Sequence, residues 1–258
     1  MLGRPCIFAG VVLFDESSGV WLLHSVPRFV DGLRSGHYSF PENARENAQM
    51  LMCITFGTSQ VDTIARILRT EYANVYAKQV PESMKNRYPQ VALLSKDSFV
   101  RGHDRKKFIA NLTSAGGVNV RAYAKRATLG EVDTFILLFF PVDLYSSMLA
   151  NDLQDDLVVQ SWRNGAGGKL SADCDSKYTV THVDSVRLAF DELRSITFNT
   201  TEDHSKWAIA IDKPIFCFAS MNRMESQESR GGEAVCMENS AIHALFRRSA
   251  IVNTECLT

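Results

Sequence analysis

GVVLFDESSGVWLLH, residues 10–24, is the stretch from which the fold is read. Two apolar runs, 10–15 and 20–24, flank Glu16-Ser-Ser-Gly19, a turn-forming segment that contains glycine, and together they predict a β-hairpin. The arrangement returns at 207–219 (WAIAIDKPIFCFA), where runs 207–212 and 215–219 flank a proline-containing turn. Laid over one another, GVVLFD meets WAIAID, Asp15 falls on Asp212, and His24 falls on Asn222 with one residue of slack. A duplicated unit of this kind directs attention to a site shared between two halves.

The residues just ahead of the second hairpin carry the chemistry. Glu202-Asp203-His204-Ser205-Lys206 places an H-x-K where the strand begins, and the period of two along a strand puts imidazole and ammonium on one face. A histidine there attacks phosphorus or moves a proton, and a lysine ammonium balances charge on non-bridging oxygens. Asn222, at the end of the adjacent strand, is placed to orient the imidazole or the phosphate. In the same superposition His204-Ser-Lys206 falls over Ile7-Phe8-Ala9, apolar residues that neither transfer protons nor balance charge.

Elsewhere the periodicity predicts three helices. Over 59–77, Val61, Ile64, Ile67, Leu68, Tyr72 and Val75 recur at helical spacing, with Ser59 as the cap and Asp62 three residues on. Further helices are expected over 143–157 and over 238–248, the latter with Ala241, Ile242, Ala244, Leu245 and Phe246 as a broad apolar face. The basic stretch 101–107 (RGHDRKK) reads as a solvated loop. Trp162 and the glycine-rich 163–169 (RNGAGGK) read as a flexible loop, since no strand–GKS/T–helix pattern surrounds them. His37, His103, His182 and His243 have no ligand-type neighbours at useful spacing and are read as surface or packing residues.

Bulk properties exclude some functions. With 28 Lys and Arg against 29 Asp and Glu, the net charge of -1 supplies no general pull toward nucleic acid or an anionic membrane, so a DNA substrate has to be argued from a site. No apolar run approaches the roughly 20 residues of a spanning helix; the nearest, 135–142, is short and contains Pro141. The first residues read poorly as a signal peptide. Six cysteines are too scattered for a CxxC-type zinc site, and Cys174, Cys217, Cys236 and Cys256 crowd toward the C-terminus, which points to an oxidised C-terminal region. Sequons at Asn111 and Asn199 agree with an exported glycoprotein.

VVLFDESSGVWLLHSVPRF, HYSFP, FNTTEDHSKW and MNRMESQESRGGEAVC resemble, in this order, the signature segments of the deoxyribonuclease II family, and the resemblance runs from about Gly10 to the C-terminus. It implies an α/β phospholipase D-like fold of two pseudo-repeats, with residues 1–160 as the remainder of the first and 161–258 as the second, packed as one unit. It implies acid endonucleolytic cleavage of double-stranded DNA to 3'-phosphate ends without metal or cofactor, in a secreted or lysosomal protein that uses no membrane. His204, Lys206, Asn222 and His24 take the catalytic places; Ser220 and Arg223 are the expected substrate-binding residues; the implied disulfides are Cys174–Cys256 and Cys217–Cys236. Cys53 resembles a family cysteine whose partner lies upstream, and Cys6 is free or joined to Cys53.

Two departures from the family pattern set further expectations. The family carries an H-x-K just before GVVLFD, where this chain has Ile7-Phe8-Ala9, so two-histidine catalysis is expected to be impaired. The family also continues upstream of Gly10, so the first repeat is expected to be incomplete. A catalytically inactive secreted relative that binds nucleic acid, or engages a host or cell-surface partner, is the alternative; a homodimer also stays open.

Overall fold

The computed structural model describes residues 10–27, 29, 40–100, 107–127, 142–164, 167–253 and 256. Ile7-Phe8-Ala9, Cys6, His37, His103, residues 101–106 and 135–141 lie outside them.

The first hairpin forms as expected, from β1 (Gly10–Phe14) and β2 (Ser18–His24), and β3 (Leu51–Gly57) extends it to a three-stranded antiparallel sheet. Its turn is held by Asp15, whose carboxylate accepts from the Ser17 and Ser18 N–H groups at 2.7 and 2.8 Å. Those bonds stabilise the anion and hold the Asp15 carboxyl below the usual range.

Helix α1 (Val61–Glu71) follows, then α2 (Glu82–Arg87) and α3 (Pro89–Ser95). Val61, Ile64, Ile67 and Leu68 are buried on one side of α1, as their spacing requires. The cap differs from expectation: Ser59 lies in a 3-10 turn, Thr58–Gln60, and makes no capping bond. Asp62 instead accepts from the Gln90 and Val91 N–H groups at 2.6 and 3.2 Å, tying α1 to the start of α3. The helix stops at Tyr72, which takes the left-handed conformation (φ 64°), well short of residue 77.

The remaining strands are β4 (Lys107–Thr113), β5 (Asn119–Lys125), β6 (Leu157–Gln160), β7 (Val180–His182), β8 (Ser185–Ala189), β9 (Ser195–Asn199), β10 (Trp207–Ala210), β11 (Ile215–Ala219), β12 (Gly232–Glu238) and β13 (Ala250–Ile251). Seven of them form the main sheet in the order β4-β5-β12-β11-β10-β6-β7, antiparallel throughout except for β6–β7, and it draws strands from both sides of residue 160. The rest, β13-β8-β9, form a small third sheet.

Alternation along β10 and β11 divides the core. Trp207, Ile209, Phe216 and Phe218 face a cluster with α1 and the first hairpin, while Ala208, Ala210, Cys217 and Ala219 face the helical segment 144–153. Small side chains on that second face let the helix approach closely. Cys217 and Cys236 stand directly opposite one another in β11 and β12, and their disulfide joins the strands. The second disulfide, Cys174–Cys256, closes 82 residues, and Cys53 is an exposed free thiol.

Two further expectations are corrected. The helix expected over 143–157 is a π-turn (Tyr145–Ala150) running into α4 (Asn151–Leu153), and Leu157 belongs to β6. Asp155 intervenes: its carboxylate accepts from Ile211, Asp212 and Lys213 N–H groups and so holds the β10–β11 turn. After the short α5 (Glu225–Glu228), helix α6 (Ser240–Ser249) forms with Asn239 as its cap, but its apolar face is narrow. Ile242 and Phe246 pack on the core, Phe246 against Trp207 and Phe216, whereas Leu245 is 54% exposed and Ala241 and Ala244 face solvent.

Candidate active site

His204 and Lys206 lie in the extended lead-in to β10 rather than within the strand. The His204 N–H donates to the Ala48 carbonyl at 2.9 Å, and the Lys206 carbonyl accepts from the Ala219 N–H at 2.9 Å. The segment is therefore hydrogen-bonded on both edges and holds the two side chains in a fixed relation. The Lys206 ammonium donates to the His204 carbonyl at 2.7 Å.

Burial tunes both groups. Lys206, only 9% exposed, is drawn down to about 8 by desolvation, against the opposing pull of Asp203. The Asp203 carboxyl is pushed up by its own burial. His204 is lowered, first by burial and then by Lys206, so its imidazole is neutral at neutral pH. A neutral imidazole is the form able to act as nucleophile or base. His204 Nε2 is buried and has no hydrogen-bond partner among the described residues.

Trp162 supplies part of that burial. Its ring lies 4.2 Å from the imidazole, centroid to centroid, and its indole N–H donates to the Thr201 carbonyl at 3.0 Å. Of the segment 162–169 read as a flexible loop, residues 165–166 lie outside the described residues; in the described part the Gly167 and Gly168 carbonyls accept from the Ser226 and Glu225 N–H groups, and Lys169 bridges to Met224. Nothing in the local sequence singled out Trp162, because its partner is dozens of residues away in the chain.

Asn222 sits three residues beyond β11, in the turn after the strand. Its Oδ1 accepts from the Trp162 N–H at 3.0 Å and its own N–H donates to Gln227 Oε1 at 2.6 Å. With Oδ1 so engaged, its amide NH2 is the group left to offer a ligand oxygen. Ser220 Oγ bonds to Glu233, reaching the carboxylate oxygen at 3.1 Å and accepting the Glu233 N–H at 3.0 Å. Arg223 is 3% exposed and its guanidinium is engaged inside: Nε donates to Asp143 at 2.8 Å, and Nη1 donates to His182 Nε2 at 2.8 Å. Burial, with Arg223 beside it, draws His182 down to about 3 and keeps it a neutral acceptor.

His24 ends β2 in the other sheet. It is 6% exposed, packs 4.6 Å from the Phe29 ring, and is drawn down to about 4 by burial. One short segment connects the two regions, since the Met50 carbonyl accepts from Ser25 N–H while the Ala48 carbonyl accepts from His204 N–H. The sequons fall on β4 and at the end of β9: Asn111 is exposed beside Arg121, and Asn199 caps the 3-10 turn Thr200–Glu202 through a capping box. Among the described residues no cluster of three or more His, Cys, Asp or Glu is placed to hold a metal ion.

The family described as DNase_II, Deoxyribonuclease II, matches residues 9–256. Plancitoxin-1 of Acanthaster planci is 34% identical over 249 residues, which cover 96% of this chain and 64% of that protein. Deoxyribonuclease-2-alpha of Sus scrofa is 34% identical over 243 residues (92% and 61%), and Deoxyribonuclease-2 of Caenorhabditis elegans is 30% identical over 248 residues (95% and 60%). The chain thus spans less than two thirds of the length of these relatives.

Proposed function

The chain belongs to the deoxyribonuclease II family, and on that premise we propose that it engages DNA at the His204–Lys206 centre as an acid endonuclease of impaired activity. The observation that carries this reading is the pairing of His204 and Lys206, held on one extended segment with Asn222 anchored beside them through Trp162. The His204 imidazole attacks phosphorus or takes a proton, the Lys206 ammonium and the Asn222 amide meet the non-bridging oxygens, and no metal or cofactor is required. Impairment follows from Ile7-Phe8-Ala9, which provide no second imidazole to protonate the leaving oxygen.

Those same three residues favour a second reading, a secreted relative that retains DNA or a cell-surface partner without cleaving. Two disulfides and two sequons support passage through an oxidising compartment, secreted or lysosomal, in either case. Plasmid incubated with the purified protein at pH 5 in chelator, beside His204→Ala, separates the readings. Slow nicking that the substitution abolishes supports the impaired nuclease. Binding of labelled duplex without nicking supports the second reading, and neither nicking nor binding removes DNA as the ligand.

A further inference from the structure

The turn that carries Asn222 is held from two directions. Asn222 is 8% exposed, and three of its four polar groups are engaged inside the protein. Its Oδ1 accepts from the Trp162 N–H at 3.0 Å, its carbonyl accepts from the Met224 N–H at 3.0 Å, and its own N–H donates to Gln227 Oε1 at 2.6 Å. The fourth, the carboxamide NH2, is the group able to donate to a ligand oxygen. Trp162 therefore orients the side chain, while Gln227 holds the peptide from which that side chain departs. A buried N–H without an acceptor is costly, so the peptide follows whichever group accepts from it.

Gln227 acts from a fixed base. It is itself 8% exposed and lies on the short helix α5, which is seated against the segment 167–170. The Glu225 and Ser226 N–H groups donate to the Gly168 and Gly167 carbonyls, both at 3.0 Å, and the Leu170 N–H donates to the Arg223 carbonyl at 3.3 Å. A Cβ at Gly167 would fall 2.2 Å from Ser226 Oγ, and one at Gly168, where φ is 74°, would fall 2.5 Å from Glu225 Oε2. Glycine lets the two segments meet there. From the other side Lys125 donates to the Glu228 carbonyl. The backbone of Gln227 is tied as well, its N–H donating to the Met224 carbonyl and its carbonyl accepting from the Arg230 N–H, both at 2.9 Å.

The residue type fits the place. Asp143 and Glu228 border the same narrow gap as Asn222 and Gln227, so an uncharged acceptor serves at 227 where a carboxylate would add a further like charge.

We propose that Gln227 is a positioning residue for the candidate site: by accepting the Asn222 N–H it fixes the Asn222 peptide, and with it the direction in which the carboxamide NH2 is presented to a phosphodiester oxygen. The phosphodiester rests on the reading of that site given above; the hold of Gln227 on Asn222 does not. Without the acceptor the peptide turns, and the carboxamide cannot both keep its bond from Trp162 and hold its NH2 in one direction.

The test uses the whole chain and requires no cleavage. Binding of a short fluorescein-labelled duplex is followed by anisotropy at pH 5 in chelator. Gln227→Met, which keeps the length of the side chain and removes the acceptor, is expected to weaken binding by at least about tenfold, the equivalent of one hydrogen bond to a charged oxygen. In an Asn222→Ala background the same change is expected to alter binding by less than about twofold, because no carboxamide remains to be placed. An equal loss in both backgrounds would mean that Gln227 only props the turn, and it overturns the proposal, as does undiminished binding in the single variant.

Two measurements without ligand accompany this. Nitrogen-15 relaxation of asparagine-labelled protein is expected to show an ordered Asn222 carboxamide that loosens in Gln227→Met, and equal order in the two proteins overturns the proposal. Hydrogen exchange of the Asn222 amide in the unsubstituted protein is expected to be slow; exchange at the rate of an exposed amide overturns the proposal even if the variant does not fold. A duplex that does not bind the unsubstituted protein removes the DNA reading, while the measurements without ligand still decide the role of Gln227, so the two failures are distinguishable.

Discussion

The Trp162 indole packs on the His204 imidazole at 4.2 Å with a tilt of 59°, and the backbone N–H of the same tryptophan holds the Asn222 carboxamide at 3.0 Å. One residue thereby sets the burial of the candidate nucleophile and the orientation of its neighbour. Trp162→Ala opens the imidazole to water and moves its pKa upward, toward the ordinary 6.5, because burial is the larger of the two causes that lower it. Proton NMR titration of the His204 ring reads this shift; an unchanged midpoint would show that Trp162 does not desolvate it.

Lys206 gives the protein a stability that changes with pH. Its folded value of about 8 lies below its ordinary 10.5, so between those limits the unfolded chain binds more protons and stability rises with pH. Below about 8 the buried ammonium costs on the order of 2–3 kcal/mol, allowing for its hydrogen bond to His204. Lys206→Met is expected to melt higher than the unsubstituted protein at pH 7 and to lose the rise between pH 8 and 10. Scanning calorimetry at several pH values checks both, and parallel curves would contradict the burial argument.

The Arg223–Asp143 ion pair is 2.8 Å long with both side chains under a tenth exposed. Removing one partner leaves an uncompensated buried charge, so Asp143→Leu alone costs about 3–5 kcal/mol, while Arg223→Met with Asp143→Leu costs clearly less than the sum of the two single changes. Urea unfolding of the four proteins measures the coupling; additive effects would mean that the pair is not a unit.

The Cys217–Cys236 bridge joins two buried strand positions at a sequence separation of 19. Loop-closure entropy assigns it about 3 kcal/mol, so Cys217→Ala with Cys236→Ala lowers the unfolding free energy by roughly that amount. Denaturant unfolding under non-reducing conditions is the measurement, and a loss below about 1 kcal/mol would place the stabilisation in the packing of the small-residue face instead.

Both hairpins, the buried face of α1 and the H-x-K were legible in the sequence, because period-two and period-3.6 patterns are local properties of the chain. The cap of α1 was misread for the complementary reason. Ser59 has the right residue type, but Asp62 is taken by backbone N–H groups of Gln90 and Val91, and no local pattern foretells that competition. The end of the helix expected over 143–157 failed similarly, where Asp155 leaves the helix to hold the turn at 211–213.

The sequence by itself determined the family, the paired strands and the disulfide framework implied by the resemblance, and it named His204, Lys206 and Asn222 as candidates. Each is written in residue type and short spacing. Only the tertiary structure decided the burial of His204 and Lys206, Trp162 as the aromatic wall of the site, and the buried Arg223–Asp143–His182 group. These depend on which groups are removed from water together, and that is a property of packing between elements dozens of residues apart.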